Sequence, residues 1–187
     1  MKKNLSVTLI ELPSTVDGTL NGRLAKDIYS LLSYPARGVP LLLAEMKSAG
    51  FTDTVAINPQ YNTNSPGHLD SDDWNRLLSS DVVGISAITR TAPQSFELAR
   101  KIKETNPRIK VVLGGPHPTA LPHESLQFCD VVVMHEGDYT FPEVAERIAD
   151  NFEQPDFDGV LGMAYKTRDG EVKINPERPF LTLLVWK

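Results

Sequence analysis

A single cysteine, Cys129, stands among 187 residues. One thiol excludes an internal disulfide framework, a zinc ribbon and any iron–sulfur cluster held by cysteines of this chain alone. Positive charge is short as well: 19 Lys and Arg against 24 Asp and Glu leave a formal net charge of −5. Nucleic acid is therefore not an expected partner, because phosphate binding draws on clustered Lys and Arg. No apolar run approaches the ~20 residues of a membrane span. The start, Met1-Lys2-Lys3-Asn4-Leu5-Ser6, has two lysines but no signal-peptide apolar core. A cytoplasmic location is the expectation. Also missing are G-x-G-x-x-G after the first strand, a Walker A sequence, the G-x-S-x-G elbow and H-E-x-x-H. The usual dinucleotide, phosphate, hydrolase and zinc-protease fingerprints thus fail.

What is present is ordinary globular material, 41% hydrophobic and 23% charged. Its length suits one domain of ~150 residues with a small appendage. Short β-branched runs alternate with helical patterns. Strands are expected over Leu5 to Leu12, Thr54 to Ile57, Asp81 to Ile88, Ile109 to Leu113 and Asp130 to Met134. The last three are apolar on consecutive positions, which implies burial on both faces, as in a parallel sheet covered by helices. Helices are expected over Val39 to Ala49, Ser71 to Leu78, Pro93 to Thr105 and Phe141 to Ala149, the last with Pro142 near its first position. An earlier helix is expected around Arg23 to Leu32. This alternation predicts an α/β, flavodoxin-like (Rossmann-like), doubly wound sheet of five parallel strands over residues 1–150. Residues 151–187 follow as an extension. There Val160 to Thr167 and Glu171 to Ile174 flank Arg168-Asp169-Gly170, a hairpin signal. The apolar tail Pro179 to Lys187 reads as the edge of a larger protein, with a natural C-terminal strand as the other reading.

Ligands of open α/β sheets bind beyond the carboxyl ends of the strands, and three such ends carry polar or glycine residues. Ser86, Ile88 and Thr89 follow the third strand; Gly114, Gly115 and His117 follow the fourth; His135, Glu136, Gly137 and Asp138 follow the fifth. Ser86 is a hydrogen-bonding group at a strand end, where bonding to neighbouring backbone is the bland alternative. Gly114-Gly115 either makes a tight strand exit or lets backbone approach a flat ligand. His117 is otherwise an exposed loop histidine. Glu136 is either an acceptor for ligand amides or an aid to the following helix. Cys129 precedes a buried strand and reads as a small core residue rather than a nucleophile. No self-contained catalytic set can be assembled, so binding is favoured over reaction. A small α/β hydrolase or reductase, a ligand-free docking domain, and a module for another flat cofactor or substrate remain the alternatives.

Together, Asp81-Val82-Val83-Gly84-Ile85-Ser86, then Lys110 through Thr119 with Gly114-Gly115-Pro116-His117, then Val133-Met134-His135-Glu136-Gly137-Asp138 resemble the N-terminal cobalamin-binding domain of radical S-adenosylmethionine enzymes. The resemblance covers most of residues 1–150. Ser86-Ala87-Ile88 approximates that family's S-x-L, and residues 89–113 separate it from Gly114-Gly115 at close to the family's spacing. The resemblance implies cobalamin as cofactor, with Ser86 near its tail base, Gly114 and Gly115 admitting the tail, and Ile88 and Thr89 among the cofactor-binding residues. His117 falls within the matched loop, and Glu136 and Gly137 would lie near the corrin edge. The family's Gly-Glu-Gly-Glu reads His135-Glu136-Gly137-Asp138 here. The resemblance further implies a radical domain as partner, carrying S-adenosylmethionine and a 4Fe-4S cluster on a C-x-x-x-C-x-x-C that this chain lacks. Family members include methyltransferases and the oxygen-independent cyclase acting on magnesium protoporphyrin monomethyl ester. The family's D-x-H-x-x-G falls where this chain reads Arg37-Gly38-Val39-Pro40-Leu41-Leu42-Leu43-Ala44, with neither Asp nor His. Base-off cobalamin without a histidine ligand is therefore expected.

Overall fold

Strands with apolar side chains at consecutive positions must be covered on both faces, and the chain supplies that cover as helices. The computed structural model describes residues 4–13, 19–20, 23–24, 38–59 and 68–179. The elements run β1 (Val7–Glu11), β2 (Thr19–Leu20), β3 (Arg23–Leu24), α1 (Gly38–Ser48), β4 (Thr54–Ile57), α2 (Ser71–Leu78), β5 (Val82–Ser86) and α3 (Ala92–Thr105). They continue as β6 (Lys110–Gly114), α4 (Pro116–Ala120), α5 (Pro122–Ser125), β7 (Val131–Val133), α6 (Gly137–Asp150), β8 (Met163–Lys166) and β9 (Val172–Ile174).

One sheet has the order β4-β1-β5-β6-β7-β8-β9, and β2 pairs with β3 in a separate ribbon. The five strands from β4 to β7 are parallel, as expected; β8 and β9 are antiparallel. The hairpin therefore joins the main sheet and raises it from five strands to seven. Without β8, β7 would present a bare edge to solvent. Its pairing continues in the 2.8 Å bond from the Met134 N–H to the Gly162 carbonyl.

Two sequence expectations change. The last helix starts at Gly137, so Pro142 lies inside it rather than at its first position. Proline has no N–H, so the Asp138 carbonyl receives no bond from the residue four places on. A helix can spare that bond near its start, where polar groups find other partners. Arg23 and Leu24, expected in a helix, pair instead with Thr19 and Leu20. The rest of that expected helix, and most of the apolar tail after Pro179, lie outside the described residues.

The two sheet faces carry separate cores. Leu9, Val82, Val112 and Val133 pack with Val39 and Met46 of α1 and with Phe141, Val144 and Ile148 of α6. Ile10, Val83, Ile85, Val111 and Leu113 pack with Leu77 of α2 and with Phe96, Ala99 and Ile102 of α3. Acidic side chains fasten the amino ends of the strands. Asp81 accepts bonds from the Ser6 N–H at 2.8 Å and its hydroxyl at 3.1 Å. Asp130 accepts the Val111 N–H at 2.7 Å and the Lys103 ammonium at 3.0 Å. Asp130→Ala removes the carboxylate acceptor of the Val111 N–H and the ion-pair partner of Lys103, whose ammonium keeps only the Pro107 and Ile109 carbonyls, and should cost about 1–3 kcal/mol of stability. Urea denaturation checks this; an unchanged midpoint contradicts it.

Candidate functional site

In parallel strands, residues paired in register share a face, so the ladder itself builds the site. Leu9 pairs with Gly84 and Gly84 with Val112; one step on, Glu11 pairs with Ser86, Ser86 with Gly114 and Gly114 with Val133. Both rows face α1 and α6. Between those helices and the carboxyl ends of the strands opens a cleft of about 150 Å³. Gly38, Val39 and Leu42 of α1 form one wall, and Gly137, Asp138 and Phe141 of α6 form the other. Leu9, Gly84, Ser86 and Gly114 lie along the strands between them. The lining is mostly apolar, with the Ser86 hydroxyl and the Asp138 carboxylate among its few polar groups.

Three glycines shape this region by different means. A Cβ on Gly84 would stand 2.8 Å from both Leu9 Cδ2 and Phe141 Cε2, so its absence lets those side chains meet over the strand. A Cβ on Gly114 would meet nothing closer than the Val133 carbonyl at 3.5 Å. That position has room for a side chain, and the cleft owes its opening to the lack of one. Gly115 has φ 95°, and a Cβ there would press to 2.8 Å from the Ala87 carbonyl. It serves the turn into α4, where the Ala87 N–H bonds the Gly114 carbonyl at 2.9 Å and the His117 N–H bonds the Ala87 carbonyl at 3.2 Å.

Ser86, Gly114, Gly115 and Gly137 thus come together at the cleft. Ile88 and Thr89 lie exposed in the loop after β5, outside the cleft wall. Glu136 is exposed at the N-cap of α6 and makes no side-chain capping bond. His117 is not an exposed loop residue: it is buried on the opposite face, its ring 5.6 Å from that of Phe96. Its Nε2 stands 3.4 Å from the Glu124 carboxylate. Proline at the start of α4 and the bond to Ala87 turn the ring toward α3, away from the cleft.

Leu9, Val39, Leu42 and Phe141 also line the cleft, and the sequence did not single them out as site residues. Spacing carried a weak signal for them: Val39 and Leu42, or Gly137 and Phe141, share a helix face at three or four residues. His135, in the loop after β7, also lines the cleft, with φ 58°, the left-handed region that glycine occupies at little cost. Its N–H donates to Thr119 Oγ1 at 2.9 Å, and its Nε2 lies 3.4 Å from Glu177 Oε1.

Chemically the site is built to hold. Among the described residues no group of three His, Cys, Asp or Glu side chains comes together as a metal site. Burial, reinforced by the adjacent Asp130 charge, pushes the Cys129 thiol up to about 12. Cys129 is therefore a neutral core thiol, as its sequence context suggested. It should resist alkylation by iodoacetamide at pH 8 in the folded chain and react on unfolding; rapid native labelling overturns this.

Residues 34–145 match the B12-binding domain family. The chain is 36% identical to an uncharacterized methyltransferase of Pyrococcus horikoshii over 109 residues, 57% of this chain and 23% of that protein. It is 28% identical to the anaerobic magnesium-protoporphyrin IX monomethyl ester cyclase of Rubrivivax gelatinosus over 150 residues, covering 79% and 27%. It is 29% identical to the cobalamin-dependent radical SAM methyltransferase TokK of Streptomyces tokunonensis over 113 residues, covering 58% and 16%. The chain spans about a quarter or less of the length of these relatives. In structure it superimposes on the cobalamin-dependent S-adenosylmethionine radical enzyme OxsB, solved with aqua-cobalamin and S-adenosylmethionine, at a TM-score of 0.64 and 18% identity. That alignment covers 94% of this chain and 22% of OxsB, and establishes a common fold. With its matched segment spanning both walls of the cleft from α1 to α6, the chain belongs to the B12-binding domain family.

Proposed function

We propose that this chain binds cobalamin at the carboxyl end of its parallel sheet and serves as the cobalamin-holding part of a radical S-adenosylmethionine enzyme. The observation that carries the reading is the cleft at Gly114: a narrow apolar slot, flanked by two helix starts, where a missing Cβ leaves space. Pockets for whole drug-sized ligands are about 300–1,000 Å³, so a cleft of about 150 Å³ admits only a fragment. The flat aromatic tail base suits it, with the corrin spread over the strand ends outside. Leu41, Ile88 and Tyr139, exposed large side chains near the starts of α1, α3 and α6, offer apolar surface there. Ser86 Oγ makes no hydrogen bond to any described residue, and so is available to a ligand polar atom.

Cobalamin supplies a cobalt–carbon bond for methyl transfer, or support for radical chemistry; the protein supplies position and environment. The 4Fe-4S cluster and S-adenosylmethionine belong, in this reading, to a radical domain outside this chain, which has one cysteine. Methyltransferases and a tetrapyrrole cyclase among the relatives favour carbon methylation or ring closure as the parent reaction. A hydrolase reading is not favoured: the one thiol is buried and Ser86 has no histidine partner among the described residues.

Three measurements test this. Incubation with hydroxocobalamin and desalting should leave one equivalent of red chromophore on the chain, and none retained contradicts the reading. Gly114→Val should keep the thermal melt near that of the parent while weakening binding at least tenfold, about 1.4 kcal/mol. The third concerns the cobalt's lower face. Gly38 to Ala44 carry no His or Asp, and we infer cobalamin held base-off without a protein nitrogen ligand. Electron paramagnetic resonance of bound cob(II)inamide, which has no tail base, should then show no triplet nitrogen splitting. A triplet, lost in His135→Ala, would reveal a histidine ligand and refute the inference.

A further inference from the structure

We propose that Glu11 is a cobalamin-binding residue whose carboxylate accepts a hydrogen bond from a primary amide on the corrin periphery. The inference rests on the cobalamin reading above and extends it to a residue outside the cleft. Glu11 is the last residue of β1, in register with Ser86 and on the same sheet face. Because the cleft holds only a fragment of the ligand, the remainder must lie over the strand ends, where Glu11 stands one strand from Ser86.

None of the described residues accounts for a carboxylate at this position. Its side chain makes no hydrogen bond or ion pair with any described residue, although the position is half-buried. Burial alone pushes its carboxyl above the usual range. A partly dehydrated carboxylate gains most from N–H donors. A neutral amide satisfies it, whereas an anionic group such as the tail phosphate is repelled. Among the described residues the neighbouring elements offer no internal cation: α1 contributes Val39 and Leu42 to the adjoining cleft, β4 ends at Ile57 opposite Ile10, and β5 contributes Ser86. Across the cleft, α6 and its approach contribute Asp138 and His135.

The sign of the raised carboxyl pKa sets a second expectation. Ionising Glu11 costs the free fold stability that is intact at low pH and lost as pH rises through the folded value. Glu11→Gln should therefore raise the melting temperature at pH 7, with the gain vanishing near pH 4. A residue that destabilises the empty fold yet strengthens the complex is the signature of a binding role.

The test uses the full chain and absorbance titration with hydroxocobalamin and with aquacobinamide, which keeps the corrin amides but lacks the nucleotide tail. Glu11→Ala should weaken both ligands by about tenfold, the scale of one charge-assisted hydrogen bond. Glu11→Gln should fall between Glu11→Ala and the parent. Parent affinity should drop as pH falls through the Glu11 transition, and that drop should be absent in Glu11→Gln, which leaves His135 and Asp138 in place. If the parent binds hydroxocobalamin and Glu11→Ala binds both ligands equally well, the Glu11 role is overturned while the cobalamin reading stands. An effect on hydroxocobalamin alone moves the contact to the tail and also overturns it. Failure of the parent to bind either ligand overturns both readings.

Discussion

In the ladder β1-β5-β6-β7, Glu11, Ser86, Gly114 and Val133 stand side by side because their strands are hydrogen-bonded in one register. A slip of one residue would exchange the two sheet faces and send Ile10 and Ile85 toward α1 and α6. The two cores resist that slip, since each face already buries a full set of branched side chains. The cleft is a consequence of this register rather than an addition to it. It lies where the row of side chains thins to two glycines, Gly84 and Gly114.

Stability and, in the proposed reading, binding are divided between the ends of the strands. At the amino ends, Asp81 and Asp130 collect backbone N–H groups, hydroxyl and ammonium donors. At the carboxyl ends, neither the Ser86 hydroxyl nor the half-buried Glu11 carboxylate has a hydrogen-bond partner among the described residues, and His135 is held in a left-handed backbone conformation. A non-glycine residue in that region costs about 1–2 kcal/mol. Such strain persists where the surroundings hold it in place, and here the Thr119 hydroxyl fixes the His135 N–H. The glycine that the family resemblance would place at this position needs no such support.

Much of this was legible in the amino-acid sequence, and what was missed has physical causes. Continuous apolar runs marked the strands expected over Asp81 to Ile88, Ile109 to Leu113 and Asp130 to Met134 as buried on both faces, and Ser86 with Gly114-Gly115 marked the end of the sheet where the cleft opens. The side of the sheet that each loop residue faces was not legible. His117 follows Gly115 by two residues, but the left-handed turn at Gly115 carries it to the opposite core. Leu9, Val39 and Phe141 look like any core residues until the register brings them to Gly84. The hairpin's turn was visible at Arg168-Asp169-Gly170, whereas its docking on β7 depends on long-range pairing that no local pattern encodes.

The central claim is that a corrinoid is held at this edge of the sheet, with its tail beside Gly114. Titrating the isotope-labelled chain with hydroxocobalamin, followed by backbone amide chemical shifts, tests it most directly. The account predicts saturable changes at one equivalent, concentrated at Gly84, Ser86, Gly114 and Gly137, with Asp81 and Asp130 at the opposite strand ends unmoved. Changes absent from those four residues, or confined to the Asp81 and Asp130 end, would contradict it.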